Sequence, residues 1–263
     1  LGLSGVNAIW IPGLRSEINP FRDLFCFLAI LIVIIRLRPD LLHLHSAKAG
    51  LLGRIIGSLL NIRTIYTVHG FPWRGMSEIK RKVIFRIEKF FAGLGSIDYI
   101  LVSRDMRSEA EEKLGIDPVR LHVIHNGMEK SDTLAGHHSS DGLKIIMPAR
   151  ICNAKDHETL LKAVGTLDFP FELTLCGAGT NERSFVNFAR ECAGDKFKKI
   201  RFLGERSDVL PLMSQNNLFV LSSHFEALPL SILEAMACLL RVFASDVGGV
   251  SELVREETGR LVE

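Results

Sequence analysis

From Leu41 onward, short apolar runs alternate with longer amphipathic ones. The order is LLHLHS (41–46), AKAGLLGRIIGSLL (47–60), RTIYTVHG (63–70), SEIKRKVIFRIEKFFAGL (77–94), DYILVS (98–103), RDMRSEAEEKLG (104–115) and RLHVIHNG (120–127). Runs of four to six apolar or β-branched residues read as strands, and the intervening segments, apolar every third or fourth position, read as helices. Strands separated by helices of this length predict parallel βαβ units with right-handed crossovers. A stretch rich in Ser, Gly, His and Asp, Lys130 to Gly142, then interrupts the pattern and reads as a linker. The alternation restarts with LKIIMPAR (143–150), HETLLKAVGTL (157–167), FELTLCGAG (171–179), ERSFVNFARECA (182–193), KIRFLGE (199–205), DVLPLMSQ (208–215), LFVLSS (218–223), PLSILEAMA (229–237), RVFASD (241–246) and VSELVRE (250–256). The expected α/β organisation is therefore a partial Rossmann-like domain over 1–129, a linker over 130–142 and a second Rossmann-like domain over 143–263. Two such domains in tandem would face a central cleft at the carboxyl ends of their strands, where open α/β sheets take their ligands.

The longest apolar run, Leu24 to Ile35, precedes this pattern. It is shorter than the roughly 20 residues a membrane span needs, so it is expected to be a packed helix, with membrane contact the lesser alternative. The length of 263 residues suits two modest domains, and a net charge of +2 gives no reason to expect a nucleic acid partner. Cys26, Cys152, Cys176, Cys192 and Cys238 are scattered without a CxxC pair, as reduced cytoplasmic thiols are. The chain begins with Leu1 and shows no basic flank ahead of an apolar run, so no secretory signal is visible and a fragment is expected.

Candidate chemistry concentrates in the second half. In His224 to Ala237, Glu226 precedes a helix start and Glu234 lies within the helix, with seven residues between them. Pro229 suits the first helical turn, and the amides that follow, near Leu230, are oriented for an anion such as a phosphate. Arg150 follows a strand and Lys155 sits in the loop before the next helix, a planar fork and a point charge suited to a diphosphate. Gly177 and Gly179 follow another strand, without the third glycine of a dinucleotide fingerprint, and fit either a nucleotide-adjacent loop or a tight turn. His43 and His45 share one face of a strand, but no acidic or Cys partner at metal-site spacing accompanies them. His69 ends the next strand, where its imidazole is placed to hydrogen-bond a sugar or phosphate as readily as to serve the fold.

These motifs resemble the Glu-x7-Glu retaining glycosyltransferases of family four, which have the GT-B fold, over most of the chain. The similarity includes the Arg150/Lys155 pair, the GxG turn at 177–179, SDVGGVSELV (245–254), TGRLV (258–262) and Asn126-Gly127. In the first half, HLHSAKAGLLGR (43–54) and TVHGFPW (67–73) resemble the acceptor domain of members that build bacterial surface polysaccharides. The family usually has Gly at Ala227, Pro at His125, and CGLP where this chain has Cys238-Leu239-Leu240-Arg241. The resemblance implies transfer of a sugar, with retention, from a nucleotide-diphosphate donor, a UDP-sugar, to a glycan or a polyprenyl-diphosphate-linked acceptor. It assigns the diphosphate to Arg150, Lys155 and the helix start at Leu230, the sugar hydroxyls to Glu226 and the ribose to Glu234, while His69 stays a candidate contact of the donor sugar or phosphate. No metal or other cofactor is expected, and the expected location is cytoplasmic, with the inner face of the cytoplasmic membrane as the narrower alternative. A nucleotide-sugar epimerase of similar architecture and an inactive nucleotide-sugar-binding fragment are the alternatives.

Overall fold

The computed structural model describes residues 7–15, 17, 19–73, 76–129 and 142–263. The expected linker, apart from Gly142, lies outside the described residues. Contacts divide the chain into one unit of Leu1–Trp73, Glu78–Leu101 and Arg107–Val123, and a second of Arg74–Ser77, Val102–Met106 and Ile124–Glu263.

The first unit opens with α1 (Pro20–Leu37). The Asn19 side chain caps it by accepting from the Arg22 amide at 3.1 Å, and Pro20 stands where its missing N–H costs nothing. There follow β1 (Leu41–His45), α2 (Ala47–Leu59), β2 (Arg63–Val68), α3 (Glu78–Ala92), β3 (Ile97–Leu101), α4 (Arg104–Glu109, whose first three residues group with the second unit) and β4 (Leu121–Val123). The strands form a parallel sheet in the order β1-β2-β3-β4. Gly50 and Gly57 of α2 face Tyr66 and Thr64 of β2, so the helix lies close on the sheet. Arg54 of the same helix is fully buried. Its guanidinium makes two 2.7 Å hydrogen bonds to the Glu88 carboxylate of α3 and lies 4.5 Å from the ring centres of Tyr66 and Phe91. The pairing satisfies a charge that would otherwise be very costly in a core. The apolar run at 24–35 is helical, as expected, but it packs through one side only. Cys26 and Ile34 are buried, while Phe21, Leu24, Phe25, Leu28, Ile32 and Ile35 remain exposed. Among the described residues no helix is long and apolar enough to cross a membrane.

The second unit runs β5 (Leu143–Pro148), α5 (His157–Gly165), β6 (Phe171–Cys176), α6 (Arg183–Ala193), β7 (Ile200–Phe202), α7 (Val209–Met213), β8 (Leu218–Leu221), α8 (Leu230–Ala237), β9 (Arg241–Ser245) and β10 (Gly259–Val262). All neighbouring strands are parallel, in the order β10-β9-β8-β5-β6-β7. Ile146, Met147, Leu173, Leu175 and Phe219 of the central strands are buried against Leu161, Ile232 and Ala235 of the covering helices. The chain winds outward from β5 through β6 and β7, then returns to β5's other side with β8 and continues to β10. The order therefore reverses between β5 and β8, the kind of switch point at which such sheets usually take their ligands. The VSELVRE segment does not form the expected helix. It contributes to a single 3₁₀ turn, Gly248–Glu252, because Gly248 and Gly249 are held against a neighbouring loop. Leu239, where the family usually has Gly, takes a left-handed backbone at φ 59° while 66 % exposed.

Candidate active site

At the carboxyl end of β5 the chain passes Arg150 and enters a 3₁₀ turn, Asn153–Lys155, that ends at Asp156. Asp156 caps α5, accepting from the Thr159 amide at 3.2 Å. The loop that leaves β8 docks onto this turn. The His224 amide donates to the Ala154 carbonyl at 2.9 Å, and the Ser222 hydroxyl donates to the Asp156 carbonyl at 2.8 Å. This docking brings Lys155 and Glu226, 71 residues apart in sequence, into one ion pair. Lys155 Nζ donates to Glu226 Oε1 at 2.5 Å, and Ser223 Oγ donates to the same oxygen at 2.6 Å. The lysine and glutamate side chains are 22 % and 10 % exposed, so the pair is largely shielded from solvent without being sealed from it. The sequence reading gave these residues separate tasks. The structure joins them, because the same strand-order reversal delivers both loops to one place.

Two other segments brace the Glu226 loop. A Cβ on Gly248 would collide with the Glu226 carbonyl oxygen, and one on Gly249 with that of Ala227. The Gly249 amide donates to the Ala227 carbonyl at 3.1 Å, and Asn126 Nδ2 donates to the Leu228 carbonyl at 3.0 Å. The 3₁₀ turn is itself anchored through Glu252. That carboxylate accepts from the amides of Arg104 at 2.7 Å and Asp105 at 3.2 Å and pairs with His125 Nε2 at 2.8 Å. Burial works to raise the Glu252 carboxyl's pKa, but these amides and His125 outweigh it and hold the value below the usual range.

Pro229 is the residue that precedes α8 and not, as expected, part of its first turn. Its ψ of 121° is extended, and no side chain caps the helix there. Leu230 opens the helix and is 51 % exposed. Glu234, one turn further, is not brought to Glu226. Its carboxylate has no hydrogen bond or ion pair among the described residues, and burial pushes its pKa upward. Arg150 is exposed and its side chain makes no ion pair among the described residues. Gly177 supports it from below: at φ 135°, the space for its Cβ is filled by the Ala149 carbonyl and the Arg150 amide. Backbone packing is thus reason enough for glycine at 177. Gly179 (φ 88°) sits beside Ile151. His69 belongs to the first unit. Its Nε2 lies 3.0 Å from His45 Nδ1, and the His43 and His45 rings are 4.4 Å apart. Burial and the neighbouring histidines lower the pKa of His45. Among the described residues no group of three His, Cys, Asp or Glu side chains is arranged to hold a metal ion. Sequence reasoning missed Ser223 and the bracing role of Gly248 and Gly249. The three-residue spacing from Ser223 to Glu226 was the one available signal.

Similarity to known proteins bears on the chain's two halves. Residues 134–263 match the family Glycosyl transferases group 1, and residues 5–131 match Glycosyltransferase Family 4. Both halves of the chain are glycosyltransferase domains. A relative of this glycosyltransferase is the Escherichia coli UDP-Gal:alpha-D-GlcNAc-diphosphoundecaprenol alpha-1,3-galactosyltransferase, 26 % identical over 98 % of this chain and 71 % of its own length. The Escherichia coli O-antigen biosynthesis glycosyltransferase WbnH is 27 % identical over 83 % of this chain and 61 % of its own. In fold, Anabaena HepE, solved in complex with UDP and glucose, superposes with a TM-score of 0.77 at 20 % identity, covering 94 % of this chain and 70 % of that one. The chain thus spans roughly two thirds of these proteins, and its two parallel-sheet α/β domains have the architecture of GT-B glycosyltransferases.

Proposed function

We propose that this glycosyltransferase moves a sugar from a nucleotide-diphosphate donor, a UDP-sugar, to a glycan or lipid-linked oligosaccharide acceptor. The process it serves is cell-surface polysaccharide synthesis at the cytoplasmic face of the membrane. The observation that carries the reading is the Lys155–Glu226 pair at the strand-order reversal. When the bond between anomeric carbon and diphosphate breaks, negative charge grows on the leaving group and positive charge on the sugar ring. Lys155, Arg150 and the start of α8 supply positive charge for the first, and preorganised charge of this kind is commonly the largest catalytic contribution. Glu226 supplies an acceptor for sugar hydroxyls, with Ser223 fixing its orientation. Glu234 gains a hydrogen-bond donor when a ribose hydroxyl reaches it, which relieves its burial. Retention of configuration is what the Glu-x7-Glu resemblance implies. The named relatives support the donor and acceptor classes: one carries UDP-Gal and a diphosphoundecaprenol acceptor in its name, the other O-antigen synthesis.

Calorimetric titration with UDP in EDTA tests the donor assignment. Binding without divalent metal is expected, and binding that appears only after metal addition would overturn it. Incubation with UDP-sugar alone separates transfer from epimerisation, since an epimerase changes the donor sugar without any acceptor.

A further inference from the structure

The chain leaving β4 sends two neighbouring side chains to the segments that hold the Glu226 loop. Asn126 Nδ2 reaches the loop directly, donating to the Leu228 carbonyl at 3.0 Å. His125 acts one contact further back. Its Nε2 lies 2.8 Å from Glu252 Oε2, and because an ionised carboxylate only accepts, that nitrogen carries the proton. The other carboxylate oxygen, Oε1, accepts from the amides of Arg104 and Asp105. Both oxygens are thus engaged, and Glu252 is held in the one pose that satisfies all three donors. The family usually has proline at 125, which offers no side-chain donor, so the contact with Glu252 belongs to this chain.

Glu252 closes the 3₁₀ turn Gly248–Glu252, and the Glu226 loop rests on the start of that turn. The space for a Cβ on Gly248 is taken by the Glu226 carbonyl, and an Asp105 carboxylate oxygen lies 3.6 Å from it. On Gly249 the space is taken by the Ala227 carbonyl and by Ser103. Backbone meets backbone at both glycines, so the turn and the loop move together. The His125 side chain is 41 % exposed and the Glu252 side chain 15 %, so a substitution at 125 removes the contact without opening the core.

We infer that His125 is a positioning residue for sugar transfer: its hydrogen bond to Glu252 fixes the Gly248–Glu252 turn, and the turn fixes the pose of the Glu226 carboxylate. It acts through Glu252 and not on the substrate. The role rests on the reading of Glu226 as the group that meets the transferred sugar, and it adds a residue outside the segments 150–155 and 226–234. Reacting groups work over a narrow range of position, and a misplacement of about 1 Å can cost about a hundredfold in rate. A contact two steps from the carboxylate therefore registers in turnover. Arg150 and Lys155 stand on the other loop, after β5, so the diphosphate contacts stay in place when the turn loosens.

The test compares His125→Ala, His125→Asn and His125→Gln, with circular dichroism confirming folded variants. Gln carries its amide nitrogen at the reach of Nε2 and Asn only at that of Nδ1, so Gln keeps the bond to Glu252 and Asn loses it. Turnover at saturating donor should fall about tenfold in the Ala and Asn variants and return to within about twofold of wild type in Gln. UDP affinity, read by calorimetry, should not fall in any of the three. The Gly249 amide, which donates to the Ala227 carbonyl at 3.1 Å, should exchange severalfold faster in Ala and Asn and at the wild-type rate in Gln. Equal turnover in all three variants, or turnover and UDP affinity falling together, would overturn the positioning role. So would Gly249 exchange that is the same in wild type and His125→Ala. If the wild type neither binds UDP nor transfers sugar, the transferase reading falls, and Gly249 exchange still decides whether His125 holds the loop.

Discussion

Replacing Glu226 by glutamine keeps the side chain's shape and removes the charge that Lys155 faces. In the structure Lys155 donates to Glu226 at 2.5 Å with the two side chains 22 % and 10 % exposed, so an incoming diphosphate must share a cation already in use. A hydrogen bond to a charged group contributes about 1.5–3 kcal/mol. The pair need only be loosened for the diphosphate to bind, so a fraction of this, roughly 1 kcal/mol, is the expected gain in UDP affinity for Glu226→Gln, about fivefold. Ser223 keeps its contact, because the amide oxygen still accepts. Sugar transfer should move the other way. An ionised acceptor beside developing positive charge is lost, and removal of one preorganised polar contact costs about 3 kcal/mol, a hundredfold in rate. Titration with UDP in EDTA reads the first effect, and turnover at saturating donor reads the second. The opposite signs are the diagnostic feature. If Glu226→Gln weakens UDP to the same degree as Lys155→Met, the pair serves only to shape the loop, and the separate roles given to the two side chains are wrong.

Three further outcomes follow from the geometry. Gly249→Ala forces a Cβ into the Ala227 carbonyl; it should destabilise the protein by about 1–3 kcal/mol in urea denaturation and slow transfer by displacing Glu226. Glu88→Gln leaves Arg54 charged and fully buried without its partner, and a loss of about 3–5 kcal/mol is expected, whereas Arg54→Met with Glu88→Leu should recover most of it. His157 is buried near Phe185, and burial pushes its pKa down to about 4. Because the folded protein holds it neutral while the unfolded chain protonates near pH 6.5, its contribution is present above pH 6.5 and is lost as pH falls through 4. By pH 4.5 the loss is about 2–3 kcal/mol, which comparing wild type with His157→Gln isolates from other acid-sensitive groups.

Much of the fold was legible because parallel βαβ units repeat one simple code. Val, Ile and Leu runs of strand length, each followed by a segment with helical periodicity, correspond to the observed strands and helices from β1 to α8. The ends of elements were harder. Gly248 and Gly249 are unfavourable in a helix and Val250–Glu252 carry helical periodicity, so local preference alone left the segment ambiguous. The deciding factor is the fit of the two glycines against the carbonyls of Glu226 and Ala227, a contact that no local pattern reports. α1 shows the converse difficulty: an unbroken apolar run suggested thorough packing, but only one side of it meets the first unit's core.

The candidate site divides along the same line. Glu226, Lys155 and Arg150 stood out by residue type and position, a carboxylate and two cations after strand ends, and the structure brings the first two together. Their coupling did not stand out, because it depends on which strands are neighbours. Had the sheet run in sequence order, β8 would have been separated from β5 by β6 and β7, and Lys155 could not have met Glu226. The reversal puts β8 directly beside β5, with Ile145 and Ile146 in register with Leu218 and Phe219. Once those four residues pair, the two loops must leave the sheet side by side. The electrostatic state of the lysine, neutralised until a competing anion arrives, is thus a property of strand order rather than of any motif. It is also why swapping the charges, Lys155→Glu with Glu226→Lys, should restore the ion pair without restoring transfer. The pair would be intact, but the cation would then stand on the loop assigned to the sugar and the carboxylate on the loop assigned to the diphosphate. Recovery of wild-type turnover in that double variant would show that the pair matters only as a brace.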